Sequence, residues 1–284
     1  MTKKYTINDL PLFSPWPARL LGLEPFPQKH RNKEDALREF EKEKWGSLLR
    51  EIENKNATVL DASEIFNGHK EVLYYDHGVF KKSDAFDVHK KYIKMACHII
   101  LSFIGKDDPV IEFGSGYGAI ILSLAKKLRS KKNPIIAGEF TKSGMKIIRA
   151  LSRNEGLNVV TEECDISGNP IMKIPLPENA IIFTSSTAYI IPSLPEDFVK
   201  NILHFKPKVV IHIEPIYDHS NTNDLYGLLR RKYIEVNDYN RNLLSILREA
   251  EENGLIQIVK NDPLVFGDNP LFCYSIIAWR PVKR

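Results

Sequence analysis

The chain has 284 residues, is 43% hydrophobic and 27% charged, and carries a net charge of +4. That length and composition suit one large domain, or one core with an accessory segment, and exclude a low-complexity or fibrous protein. Lys and Arg alternate with Asp and Glu, with no basic face of the kind that binds nucleic acid, and the run Arg129-Ser130-Lys131-Lys132 reads as a solvated helix end.

Residues 1–31 read as irregular and proline-rich, with enough Leu, Phe and Trp to pack onto something. No stretch has the roughly 20 apolar residues of a membrane helix, and "MTKKYTINDLPLF" lacks a signal-peptide core. Cys97, Cys164 and Cys273 stand apart in apolar surroundings, without a CxxC pair. A soluble, cytoplasmic protein is expected. Asn32 can cap a helix whose apolar face runs through Leu37, Phe40, Trp45, Leu48 and Ile52. Residues 57–82 read as loop or hairpin. Asp84 starts a second helix, which Gly105 ends.

Beyond Gly105 the pattern changes. Strands are predicted at 109–113, 134–138, 158–162, 180–185 and 208–213, with helices over 119–128, 143–154 and 195–204. Such alternation predicts an α/β fold: a Rossmann-like, mostly parallel sheet with helices on both faces. After a helix near 239–252, "LIQIVK" and "LFCYSIIAW" follow without a helix between them, which predicts an antiparallel pair at the sheet edge. The chain thus divides into a mainly helical lid or cap segment, 1–105, and a core domain, 106–284.

The core opens with "DPVIEFGSGYGAIILSLAKK". Gly114 lets the chain leave the strand sharply, Gly116 removes a side chain that would hold a ligand off the backbone, and Gly118 lets helix and strand pack closely. Glycines alone are a weak signal. Acids stand at the ends of three successive strands, however: Glu112, Glu139 and Asp165. Glu139 is placed to accept two ribose hydroxyls. Asp165 can bond an amino group while Ile166 lies against a flat ring, and Glu112 faces a cationic group. Together they describe a ligand with positive charge, a ribose and an aromatic amine, and no phosphate.

"VIEFGSGYGA", Glu139 and "CDI" resemble the cofactor signatures of class I S-adenosylmethionine-dependent methyltransferases. The resemblance covers about 105–284 and includes a reversed last strand. It implies that Gly114, Gly116 and Gly118 approach the methionine part, Glu139 holds the ribose, and Asp165 and Ile166 contact the adenine. Phe140 and Ser185 complete the expected cofactor set.

For the methyl acceptor, "VVIHIEPIYDHSN" offers His212, Glu214, Asp218 and His219 at the carboxyl edge of a strand. His212 is expected as a general base, with Glu214 and His219 beside it. A divalent cation on these four side chains is a second reading. "EPIYD", "NDYNRNLL", "NPLFCYSIIAWRP" and "SPWPARLLG" are similar to bacterial sugar or small-molecule O-methyltransferases. That similarity implies methylation of a hydroxyl on a sugar or surface-polysaccharide precursor, under a lid lined by Tyr74, Tyr75, His77 and His89. The alternatives are N-methylation of an amine or amide metabolite, and a non-catalytic adenosylmethionine-binding module.

Overall fold

Four short runs of Val, Ile and Phe are buried on both faces, as parallel strands between two helical layers must be. They are β3 (Val110–Phe113), β4 (Ile135–Glu139), β6 (Ile181–Ser185) and β7 (Val209–Pro215). They belong to a nine-stranded mixed sheet in a computed structural model, which describes residues 4–53, 55–128 and 133–282. The basic run 129–132 lies outside the described residues. The remaining strands are β1 (Glu71–Asp76), β2 (Val79–Asp84), β5 (Val160–Glu163), β8 (Ile256–Asn269) and β9 (Phe272–Pro281). Their spatial order is β2-β1-β8-β9-β7-β6-β3-β4-β5. β7, β6, β3, β4 and β5 pair in parallel, whereas β9, β8, β1 and β2 pair antiparallel.

The final two strands do pair antiparallel, but not at an edge. β9 lies between β7 and β8, and the β1–β2 hairpin continues the sheet beyond β8. The cause is an open ladder: β8 offers backbone groups at Gly267 and Phe266, and Tyr75 and Asp76 pair with them.

Among the described residues ten α-helices accompany the sheet: α1 (Trp16–Leu20), α2 (Lys33–Leu37), α3 (Trp45–Ile52), α4 (Val59–Asn67), α5 (Ala85–Leu101), α6 (Ala119–Lys127), α7 (Lys142–Asn154), α8 (Phe198–Leu203), α9 (Leu225–Val236) and α10 (Leu243–Glu252). Asn32 caps α2 through a bond from Asp35 N–H, and Asp84 caps α5, as the sequence predicts. α1, α4 and α9 fall where the sequence reading has none. α4 had a local signal, because Thr58 and Asp61 form a reciprocal capping box.

Strand alternation sorts the core into two layers. Val110, Ile181, Phe183, Ile211 and Ile213 face the layer of α3, α5, α6 and α7. Ile111, Phe113, Ile182, Val210 and Trp279 face the layer that holds Phe198 of α8 and Leu244 and Leu247 of α10.

Candidate active site

Two adjoining cavities open at the carboxyl ends of the parallel strands, where open α/β sheets place their ligands. The first, about 310 Å³, is lined by Glu139, Phe140, Asp165 and Ile166, and by Arg31, Lys33, Phe40 and Trp45 of the N-terminal segment. The second, about 340 Å³, is lined by Glu112, Ser115, Tyr117, His89, Ser185 and a group of aromatic rings. Gly114, Gly116, Phe40, Trp45 and Ser186 line both, so the glycine loop separates them.

The loop's backbone explains its composition. Gly114 has φ +77° and Gly116 has φ +57°, a region that side chains disfavour. A Cβ at Gly114 would lie 2.0 Å from Thr187 Cγ2, and one at Gly116 would lie 2.9 Å from Trp45 Cζ2. Gly116 was expected to make room for a ligand; the atom that immediately excludes a side chain there belongs to Trp45. Gly118 caps α6, and its neighbours are Ile148 and Leu122 rather than either cavity.

Glu139 is buried and binds protein groups. Its Oε2 accepts the Gly116 N–H at 2.7 Å, and its Oε1 accepts the N–H and hydroxyl of Thr141. Burial raises its carboxyl above the ordinary range despite these bonds. Asp165 accepts from Lys33 Nζ at 2.6 Å and from Ser167. Burial pushes its carboxyl up, but Lys33 and Ser167 outweigh that and hold it below the usual value. Lys33 also lies 5.1 Å from the centre of the Phe140 ring.

At the join of the cavities the pattern is different. Glu112 Oε2 and Ser115 Oγ are buried beside each other, and neither makes a well-formed hydrogen bond to a protein group. Burial pushes the Glu112 carboxyl up to about 8. A buried polar atom left unpaired costs roughly 1–3 kcal/mol, so this point of the wall suits a ligand that supplies donors. Ser185 Oγ bonds the Tyr92 hydroxyl nearby.

The histidine expected as a base is elsewhere. Alternation along β7 turns His212 to the α8 and α10 layer, on the opposite face from Glu112 and Ser185. It is fully buried: Nδ1 pairs with Thr184 Oγ1 at 3.0 Å, and Nε2 accepts from Trp279 Nε1 at 3.1 Å. Burial pushes its pKa down to about 3. Reaching neither cavity, His212 is corrected to a core residue. Glu214 also lines neither cavity; it accepts the backbone N–H groups of Thr187, Ala188 and Tyr189. Thr187 in turn donates to the Gly114 carbonyl at 2.7 Å, so Glu214 positions the loop after β6 against the glycine loop. His219 is half-buried, bonds Ser275 Oγ and lines neither cavity, so it too is corrected. Among the described residues no group of three or more His, Cys, Asp or Glu is placed to hold a metal ion.

Of the four expected lid residues, His89 lines the second cavity, with Nε2 at 2.7 Å from the Tyr117 hydroxyl. Burial pushes its pKa down to about 4, so the ring is neutral. Tyr74, Tyr75 and His77 line neither cavity. Sequence reasoning missed Lys33, Trp45, Tyr92, Tyr117 and Asp268, which reach the cavities from segments far apart in the chain. Only Asp268 had a local signal, an acid in the turn "GDNP" beside alternating apolar residues.

No protein-family model matches the chain, and neither does any curated protein. Solved structures do match. Magnesium protoporphyrin IX methyltransferase from Synechocystis PCC 6803, solved with bound SAH, superposes with a TM-score of 0.54 at 8% identity, over 88% of this chain and 100% of that one. A geranyl diphosphate methyltransferase in complex with GPP and sinefungin gives 0.51 at 12%, over 83% and 98%. The 4+2 cyclase SpnF gives 0.53 at 14%, over 83% and 93%. At such identities the likeness is one of fold. The chain has the α/β fold of class I methyltransferases, a fold that a protein named as a cyclase shares.

Proposed function

We propose that the chain binds S-adenosylmethionine across the two cavities and transfers its methyl group to a small molecule held in the second. The observation that carries this reading is the poorly satisfied pair Glu112 Oε2 and Ser115 Oγ, set where a cavity edged by Glu139, Phe140, Asp165 and Ile166 meets an aromatic chamber.

When bound, the cofactor supplies an electrophilic methyl group on a sulfonium. The chain's own residues do the rest by binding and alignment, which suits a direct displacement. Glu139 offers a carboxylate to the ribose, and Phe140 and Ile166 present apolar surface to the adenine. Asp165 can exchange Lys33 for the adenine amino group. Glu112 meets the amino group of the methionine part, and the segment 1–105 serves as a cover through Lys33, Phe40 and Trp45. A sugar hydroxyl, the acceptor expected from the sequence, would need a base that His212 cannot be; His89 is the imidazole that faces the chamber.

Calorimetry with S-adenosylmethionine and S-adenosylhomocysteine tests the reading. Binding by the wild type and its loss in Gly116→Val are expected. Wild-type protein that binds neither ligand, or that binds NAD instead, would overturn it.

A further inference from the structure

One part of the chamber wall combines a set of aromatic rings with a carboxylate. Tyr92 of α5, Tyr189 after β6, Tyr239 between α9 and α10, and Phe272 and Tyr274 of β9 line it together with Asp268. The rings touch in sequence: Tyr92–Tyr274 at 4.5 Å between centres, Tyr274–Phe272 at 5.5 Å, Phe272–Tyr189 at 4.8 Å and Tyr189–Tyr239 at 4.8 Å. Asp268 lies near the end of β8, between Phe266 and Asn269, where the ladder to β9 shifts register. Asp268 is an exposed residue that lines part of the chamber, and the protein packed around its carboxyl pushes it up to about 6.

Folding does not account for this acid. Its Oδ1 accepts the Asn269 N–H at 3.0 Å, a bond that an asparagine side chain could also make. Among the described residues Asp268 has no ion-pair partner. The chamber's one lysine among the described residues, Lys44, is engaged by Glu39 at 2.9 Å and lies 4.1 Å from the centre of the Phe40 ring. Glu112 is the second acid that lines the chamber. A carboxylate attracts a cation, the more so where protein walls limit the water between them. Ring faces carry negative potential and favour cations too, most strongly where water is excluded. A neutral, apolar acceptor would use the rings and gain nothing from Asp268.

We infer that the acceptor is a small amine that binds as its ammonium, its charge met by Asp268 beside the rings of Tyr92, Tyr189, Tyr239, Phe272 and Tyr274; the nitrogen gives a proton to the Asp268 carboxylate before its lone pair forms the new bond to the methyl carbon as the methyl–sulfur bond breaks. The inference rests on the proposed methyl transfer only for the word acceptor, because the cation site is a property of the chamber itself.

The test compares choline with 3,3-dimethylbutan-1-ol, which has the same shape without the charge, by calorimetry with and without saturating S-adenosylhomocysteine. The wild type should prefer choline by about tenfold or more, as a desolvated cation–ring site with an acid should. Asp268→Asn should reduce that preference below about threefold and leave the affinity for S-adenosylhomocysteine unchanged. Tyr239→Leu, which removes one ring, should weaken choline binding by several-fold. Equal binding of the two probes by the wild type, or a preference that survives Asp268→Asn, would overturn the inference. Failure to bind S-adenosylhomocysteine would overturn the proposed function instead, while the choline comparison would still decide the cation site.

Discussion

Glu139 and His212 show how a residue's role depends on its face and its partners. Glu139 bonds the glycine loop at Gly116 and the start of α7 at Thr141, so it already has the geometry of a group that accepts two hydroxyls. Glu139→Ala should weaken S-adenosylhomocysteine binding by about 1.5–3 kcal/mol, the worth of bonds to a charged group, and calorimetry on the folded variant measures it. His212→Ala should act on stability. It leaves Thr184 and Trp279 without a partner and opens a cavity beneath the sheet. A loss of about 2–4 kcal/mol is expected, read as a lower denaturation midpoint. Cofactor affinity should be retained, because the ring reaches neither cavity. Loss of affinity with unchanged stability would return His212 to the site.

At the scale of elements, the cover over the first cavity is a short helix, a wider-wound turn at Arg38–Lys44 and the start of α3. It docks through named contacts: Ser143 N–H and hydroxyl donate to Glu41, and Arg31 donates to the Asn237 carbonyl. Lys33 then occupies Asp165, the carboxylate proposed to meet the adenine amino group. The Lys33 side chain is 64% exposed, so the pair is worth at most about 1 kcal/mol. Lys33→Ala should therefore tighten S-adenosylhomocysteine binding by about two- to fivefold, and weaker binding would show that Lys33 holds the ligand instead. The docking was not legible in the sequence. The helical stripe of Phe40, Trp45 and Leu48 shows that this element packs on something, but not that Trp45 packs over Gly116.

For the whole molecule, the buried acids tie stability to pH. Glu112 and Glu214 are pushed by burial to about 8 and about 7. The folded chain keeps protons there that the unfolded chain has lost, so their stabilisation is complete at low pH and falls as pH rises through those values. His212 and His89 act in the opposite sense: lowered to about 3 and about 4, they add stability that is present above their ordinary range and lost on acidification. Between pH 6.5 and 8 the unfolded histidines lose their remaining protons, and the opposing effect of the two acids is the larger. The midpoint of thermal unfolding, followed by calorimetry, should therefore fall across that window. Each raised group contributes up to about 1.4 kcal/mol per pH unit. Glu112→Gln should flatten the fall, and an equal slope in the variant would place its cause elsewhere.

The sequence by itself determined the alternation of elements after Gly105, the glycine loop, and Glu112, Glu139, Asp165 and Ile166 at the cavities. These are set by local physics: strand ends, positive φ and acids at fixed offsets lie within a few residues of the feature that reveals them. It also placed His212 and Glu214 on a common face, since two-residue spacing requires it. Which face that is depends on what packs against β7, and there the tertiary structure decided, burying His212 between Thr184 and Trp279. The chamber was beyond local reasoning for the same reason. Tyr92, Tyr189, Tyr239, Asp268 and Phe272 meet only when β9 inserts beside β7 and α5 lies across the sheet. Contacts between residues dozens of positions apart or more leave no period in the chain to read, so the acceptor's surroundings are a property of the fold.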